Sequence, residues 1–209
     1  MQYWTKAESS GWTPLHEAAA NMRLCRVPRE VITKENLLIR DKFGRTPLHE
    51  AAWGGEFHLV PTDVLSEDTL LCATTDGMTV LHSLAVSGYL DQVPRSILTK
   101  ANMLVQDKVG CTPMYLAALN GHLDQVPRDL LTSANLLVAN NDGGTSLHLV
   151  VDKNMRGDPV GYLDQLLGIE LQASAKEIVG EKWWGKNQAV LTAKGAVVTL
   201  DGQNDIELF

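Results

Sequence analysis

Five threonines, Thr13, Thr46, Thr79, Thr112 and Thr145, stand 33 residues apart, and this period constrains the fold more than any other feature of the chain. Around them run GWTPLHEAA, GRTPLHEAA, GMTVLHSLA, GCTPMYLAA and GGTSLHLVV. The prolines Pro28, Pro61, Pro94 and Pro127 keep the same spacing, as do the pairs Leu37-Leu38, Leu70-Leu71, Met103-Leu104 and Leu136-Leu137. Seven of the eight prolines fall on only two positions of the period, which chance does not produce. A period of about 20 to 50 residues means supersecondary units stacked in a row, because one such unit buries too little apolar surface to stand alone.

Local chemistry predicts how each unit begins. Thr112 can cap the following helix through its hydroxyl, and Pro113 suits the first helical turn, where its missing N–H would have had no partner. Met114, Ala117 and Ala118 then form an apolar stripe whose small residues allow a neighbouring helix to come close, and Gly121 ends the helix.

The G-x-TPLH-x-AA-x-x-GH pattern resembles the ankyrin repeat and covers roughly residues 10 to 165. The resemblance implies a mainly α, ankyrin-type helical repeat solenoid of about five units. Each unit would have two antiparallel helices and a hairpin-like loop, and the stack would curve into a concave binding surface. The second half of each unit departs from the family pattern, reading LDQVPRDLLTSANLLV in the fourth. Pro127 would break an established helix, and the residue before it is pushed out of helical dihedrals. The expectation there is a single turn over Leu123 to Val126, a short helix starting at Pro127, and a Thr132-capped turn carrying Leu136 and Leu137 into the next loop.

These readings divide the chain into an N-terminal edge segment (1–9), units at 10–42, 43–75, 76–108, 109–141 and 142–167, and a C-terminal cap (168–209). Tyr3 and Trp4 are apolar enough to cover the first edge. GYLDQ at Gly88 returns at Gly161, seven residues more than two periods later, which places a polar, loop-like insertion at 152–159. The C-terminal segment reads as a helix over 174–190 with Trp183-Trp184, then a short β-hairpin around Lys194-Gly195, then an apolar stretch from Ile206 to Phe209. A stack needs its last apolar face covered, so a cap is the first reading and a separate interaction element the second.

Composition narrows the function. The net charge is −7 and no Lys/Arg cluster interrupts it, which disfavours nucleic acid and makes a basic partner the complementary one. MQYWTKAESSGW has no basic start followed by an apolar run, and no stretch approaches the ~18 apolar residues that a bilayer span requires. The expectation is a cytoplasmic monomer without membrane contact. Cys25, Cys72 and Cys111 fall at unrelated points of the period and read as free thiols acting as small apolar fillers.

His16, His49, His82 and His148 share one position of the period, with Tyr115 in the remaining instance. Units about 10 Å apart cannot share a metal bonded at about 2 Å. In the resembled family this histidine braces neighbouring loops by hydrogen bonds. The chain carries no G-x-S-x-G, no H-E-x-x-H and no phosphate-cradling glycine loop, and Asp91, Asp124 and Asp164 recur with LDQ as architecture. A non-enzymatic protein without cofactor or metal follows as the expectation.

Partner choice in such a stack resides in surface that varies between units. One residue after each loop glycine stand Trp12, Arg45, Met78 and Cys111, expected at the loop tips. Four residues past the histidine position stand Trp53, Val86 and Leu119, which the resembled fold places on the concave side. The plain alternative for Val86 and Leu119 is packing between helices. The resulting expectation is a module that binds a protein partner through loop tips and the concave helix face. Two rival readings are a regulatory or targeting arm of a larger enzyme or effector, and a homo-oligomerisation element working through the C-terminal segment.

Overall fold

The computed structural model describes residues 2–155, 170–172 and 197–199. Among them the protein is mainly helical. In chain order the helices are α1 (Gln2–Thr5), α2 (Pro14–Ala20), α3 (Lys34–Leu37), α4 (Pro47–Gly54) and α5 (Glu67–Leu70). They continue with α6 (Val80–Ser87), α7 (Lys100–Met103), α8 (Pro113–Asn120), α9 (Ser133–Leu136) and α10 (Ser146–Met155). Among the described residues no helix is long and apolar enough to cross a membrane.

The even-numbered helices from α2 to α10 begin at the TPLH positions, and each packs against the next. Small side chains make this approach possible: Ala18, Ala19, Ala51, Ala52, Ala85, Ala117 and Ala118 are all buried, together with Leu15, Leu48, Leu81, Met114 and Leu147. Four of these five helix starts are tied twice. Thr46 Oγ1 accepts from the His49 N–H (3.4 Å), and the Thr46 N–H donates to His49 Nδ1 (3.3 Å). This is a capping box in which histidine takes the place usually held by Glu or Gln. The same reciprocal pair forms at Thr13/His16, Thr79/His82 and Thr145/His148. At α8 only half of it is present, because Tyr115 has no ring nitrogen to return the bond to Thr112.

The second half of each unit is broken as its prolines require. Val126, before Pro127, is extended (φ −77°, ψ 131°). Single 3₁₀ turns run over Leu123–Gln125 and Arg128–Leu130 on either side of that proline, and Thr132 caps α9. The first unit follows the same scheme, the second and third have the 3₁₀ turn before the proline and a hydrogen-bonded turn after it, and the caps are Thr33, Ser66 and Thr99. Asn36, Asn102 and Asn135 each donate a side-chain N–H back to the carbonyl five residues earlier, and the Thr69 hydroxyl does the same in the second unit. Leu24, Phe57, Leu90 and Leu123 bury one apolar side chain each beneath these turns.

One expectation needs correction. The stretch expected to be a loop begins as helix, since α10 runs on to Met155 where α4, α6 and α8 stop within eight residues. The reason is local: Asn154 stands where the other three have a C-capping glycine. At the C-terminal end β1 (Glu170–Gln172) pairs in parallel with β2 (Val197–Thr199), and β2 falls within the second arm of the expected hairpin. The remainder of that expected hairpin, the helix over 174–190, the rest of the insertion and the Ile206 to Phe209 stretch lie outside the described residues. At the opposite end α1 packs against α2, and Trp4 joins the edge of the apolar core.

Candidate functional site

The loops between units form a ladder of their own. Lys42, Thr75, Lys108 and Asn141 each donate a backbone N–H to a carbonyl of the preceding loop, on Ser10, Phe43, Asp76 and Val109, at 2.8 to 3.0 Å. Inside each loop one side-chain oxygen organises the turn. Asp41 Oδ1 accepts from the Phe43 and Arg45 N–H groups, Asp107 Oδ1 from Val109 and Cys111, and Asn140 Oδ1 from Asp142 and Gly144, while Thr74 Oγ1 accepts from Met78. Arg40 and Gln106, one residue before that position, donate to carbonyls of their own loop and of the next one.

The histidines complete the stitching. His16 Nε2 donates to the Arg45 carbonyl (3.2 Å), His49 Nε2 to that of Met78 (3.3 Å) and His82 Nε2 to that of Cys111 (3.1 Å). A carbonyl can only accept, so the proton sits on Nε2 and Nδ1 is left to accept from the capping threonine. Both nitrogens of a neutral ring are thereby used. Burial lowers the His49 pKa to about 4, against a smaller opposing pull from the Met78 carbonyl, and burial lowers those of His16 and His82 as well. Among the described residues no group of three or more His, Cys, Asp or Glu is placed to hold a metal ion.

These bonds explain why the residue after the loop glycine does not form the tip. Its carbonyl must face the preceding histidine, which turns it inward along the descending arm of the loop. Cys111 is therefore buried (8% exposed), and the expectation that it projects is overturned. The tips are Lys42 and Phe43, Thr75 and Asp76, Lys108 and Val109, and Asn141 and Asp142, all exposed. Trp12 is half-buried and already engaged. Its ring stacks on His16 at 4.9 Å, its indole N–H donates to Glu17 (3.2 Å), and the Arg45 guanidinium lies 4.9 Å above it.

Three of the residues singled out in the sequence do meet. Arg45, Met78 and Trp53 line one cleft of about 260 Å³ in the corner between loops and helices, together with Glu50, Thr74 and Ser83. Trp53 is 57% exposed at its mouth. The backbone beneath it is held in place: the Trp53 carbonyl accepts from the Ser87 hydroxyl (3.2 Å), and a Cβ on Gly54 would come within 3.0 Å of the Ala19 carbonyl. Leu119 is 40% exposed and Val86 half-buried, both on later helices and outside the cleft.

Electrostatics in the cleft centre on Arg45. It bonds Asp41 Oδ2 through both Nε (3.0 Å) and Nη2 (2.8 Å), and its plane lies 5.2 Å from the Phe43 ring. Burial pushes the Asp41 carboxyl up, but the hydrogen bonds from Arg45 and Phe43 outweigh it and hold the group below its ordinary range. Glu50 is treated differently. Its Oε1 stands 3.6 Å from Arg45 Nη1, and burial raises its carboxyl, with Asp41 adding to the push and Arg45 opposing it.

Sequence reasoning missed Glu50 and the row of loop acceptors. Glu50 occurs within a stretch shared with the first unit, which hid it among repeat residues. The acceptor row changes its side chain at every step, so identity at the 33-residue spacing could not reveal it, although the presence of an oxygen at every step could. Comparison with protein-family models finds no family that matches this chain, and comparison with curated proteins finds no match.

Proposed function

We propose that the chain is an ankyrin-type repeat solenoid of about five units that captures a protein partner, without catalysis or cofactor, in the concave corner between loops and first helices. The observation that carries this reading is Trp53: a large aromatic side chain, mostly exposed, at the mouth of a cleft whose walls are tied down. Aromatic side chains concentrate binding energy, and exposed apolar surface of this kind favours association. The serial packing of the helices and the histidine stitches support the family resemblance. Acidic composition supports a basic partner, and the three free cysteines support a reducing, cytoplasmic setting for a monomer.

Trp53→Ala tests the reading. Its side chain is exposed, so the thermal midpoint and the helical signal should stay at wild-type values while capture of the partner from native cell extract is lost. Unchanged capture would remove Trp53 from the binding surface, and unfolding would make it part of the core.

A further inference from the structure

The corner cleft contains two features with unmet chemical needs, and they stand one helical turn apart on α4. Glu50 and Trp53 are three residues apart, so their side chains share a face. The Glu50 side chain is only 14% exposed, yet among the described residues its one ion-pair partner is Arg45 at 3.6 Å, beyond good hydrogen-bond distance. Arg45 does not neutralise it well, because the guanidinium is committed to Asp41 through two nitrogens and to the Trp12 face. Among the described residues no hydrogen bond to the Glu50 carboxylate accompanies that ion pair. A carboxylate taken largely out of water gains from a second cation with N–H donors.

Trp53 supplies the other half of such a receptor, since an indole face attracts a cation most strongly of the aromatic side chains. Met78 adds an apolar wall, against which an aliphatic stem can lie. Resting on the binding role proposed above, we infer that the Glu50–Trp53 face of this cleft receives a lysine or arginine side chain from the protein partner. The carboxylate takes the charged head, while Trp53 and Met78 cover the stem. Charge complementarity selects this occupant over an acidic or purely apolar one.

The test uses the full chain, ¹⁵N-labelled, with the Trp53 indole N–H resonance assigned by Trp53→Phe. Four small probes are titrated in turn: the N-acetyl methylamides of lysine, arginine, norleucine and glutamate. The expected result is a saturable shift of the Trp53 indole by the lysine and arginine probes, at least about fivefold weaker with norleucine and absent with glutamate. Glu50→Gln should weaken the lysine response about fivefold and leave the norleucine response unchanged. Equal binding of norleucine and lysine overturns the cation assignment and leaves the cleft as an apolar docking site. If no probe moves the indole, the docking role of the cleft falls as well. Should Glu50→Gln fail to fold, the probe series on the wild-type chain decides the matter alone.

Discussion

The two halves of each unit solve the same problem by different means. The loop-and-first-helix half is joined to its neighbour by a backbone rung between loops and, from the first three units, by a histidine reaching forward to a carbonyl, while a threonine–histidine box fixes that histidine at its own helix start. The proline half relies on short self-contained turns that satisfy their own backbone groups and bury one large apolar side chain each. Its few polar links between units vary from one junction to the next. Glu56 accepts from the Leu24 N–H at the first junction, whereas Gln125 bonds Leu90 and Gly88 at a later one. Direction-specific polar bonds fix register, and apolar burial supplies cohesion that tolerates irregular backbone.

Acid should separate the halves most sharply. Because the pKa of His49 lies near 4 when folded and near its ordinary 6.5 when unfolded, the unfolded chain binds more protons between those values. Its contribution, on the order of 3 kcal/mol, is fully present above pH 6.5 and is lost as the pH falls toward 4. His16 and His82 act with the same sign. Denaturant midpoints measured across that range should fall steeply. A flat profile would mean that the imidazole stitches carry little of the stability.

Next in size comes the backbone rung. Gly110 has φ +80° and a Cβ there would lie 2.7 Å from the Asn141 nitrogen, so Gly110→Ala should cost about 3 kcal/mol from strain and crowding together. Gly143 has nearly the same dihedral (φ +79°) with no described atom within 4 Å of such a Cβ, so Gly143→Ala should cost about 1 kcal/mol. Equal losses by chemical denaturation would show that the dihedral, rather than the neighbouring loop, demands glycine in this row.

At the junction between the halves the first unit is imperfect. Met22 occupies the position of the capping glycines and takes φ 54°. Met22→Gly removes a left-handed strain of about 1–2 kcal/mol and adds about 0.5–1 kcal/mol of unfolded-chain entropy. A rise of about 0.5–1 kcal/mol in unfolding free energy is expected. The smallest effect belongs to the proline half, where Arg95 and Asp129 pair at 2.5 Å between units with both side chains more than half exposed. Asp129→Ala should change stability by only a few tenths of a kcal/mol, and a larger loss would place polar stitching in that half too.

The order of elements was readable from the chain because threonine, proline and histidine recur by identity, and each has a mechanism tied to its position. The proline-broken turns and the Thr132 cap followed from the same rules. The cleft was only partly readable. Trp53, Arg45 and Trp12 were picked out as variable positions, but the contact by which Arg45 covers the Trp12 ring joins residues 33 apart and was not readable from either one. The inward turn of Cys111 depends on where its carbonyl must point, and a side-chain pattern does not report that. Met22 could have been noticed as the missing glycine of its row, since the next three units each have one there.

The forward reach of His16, His49 and His82 gives the row of packed helices a polarity. Shortening it from the N-terminal side removes a donor and leaves a carbonyl that water can satisfy, so the new first unit keeps its own box intact. Shortening it after the third unit takes away the Cys111 acceptor and uncovers the His82 ring, which regains an ordinary affinity for protons. The two ends are thus not equivalent, and trimming from the C-terminal side converts a silent histidine into a titrating one.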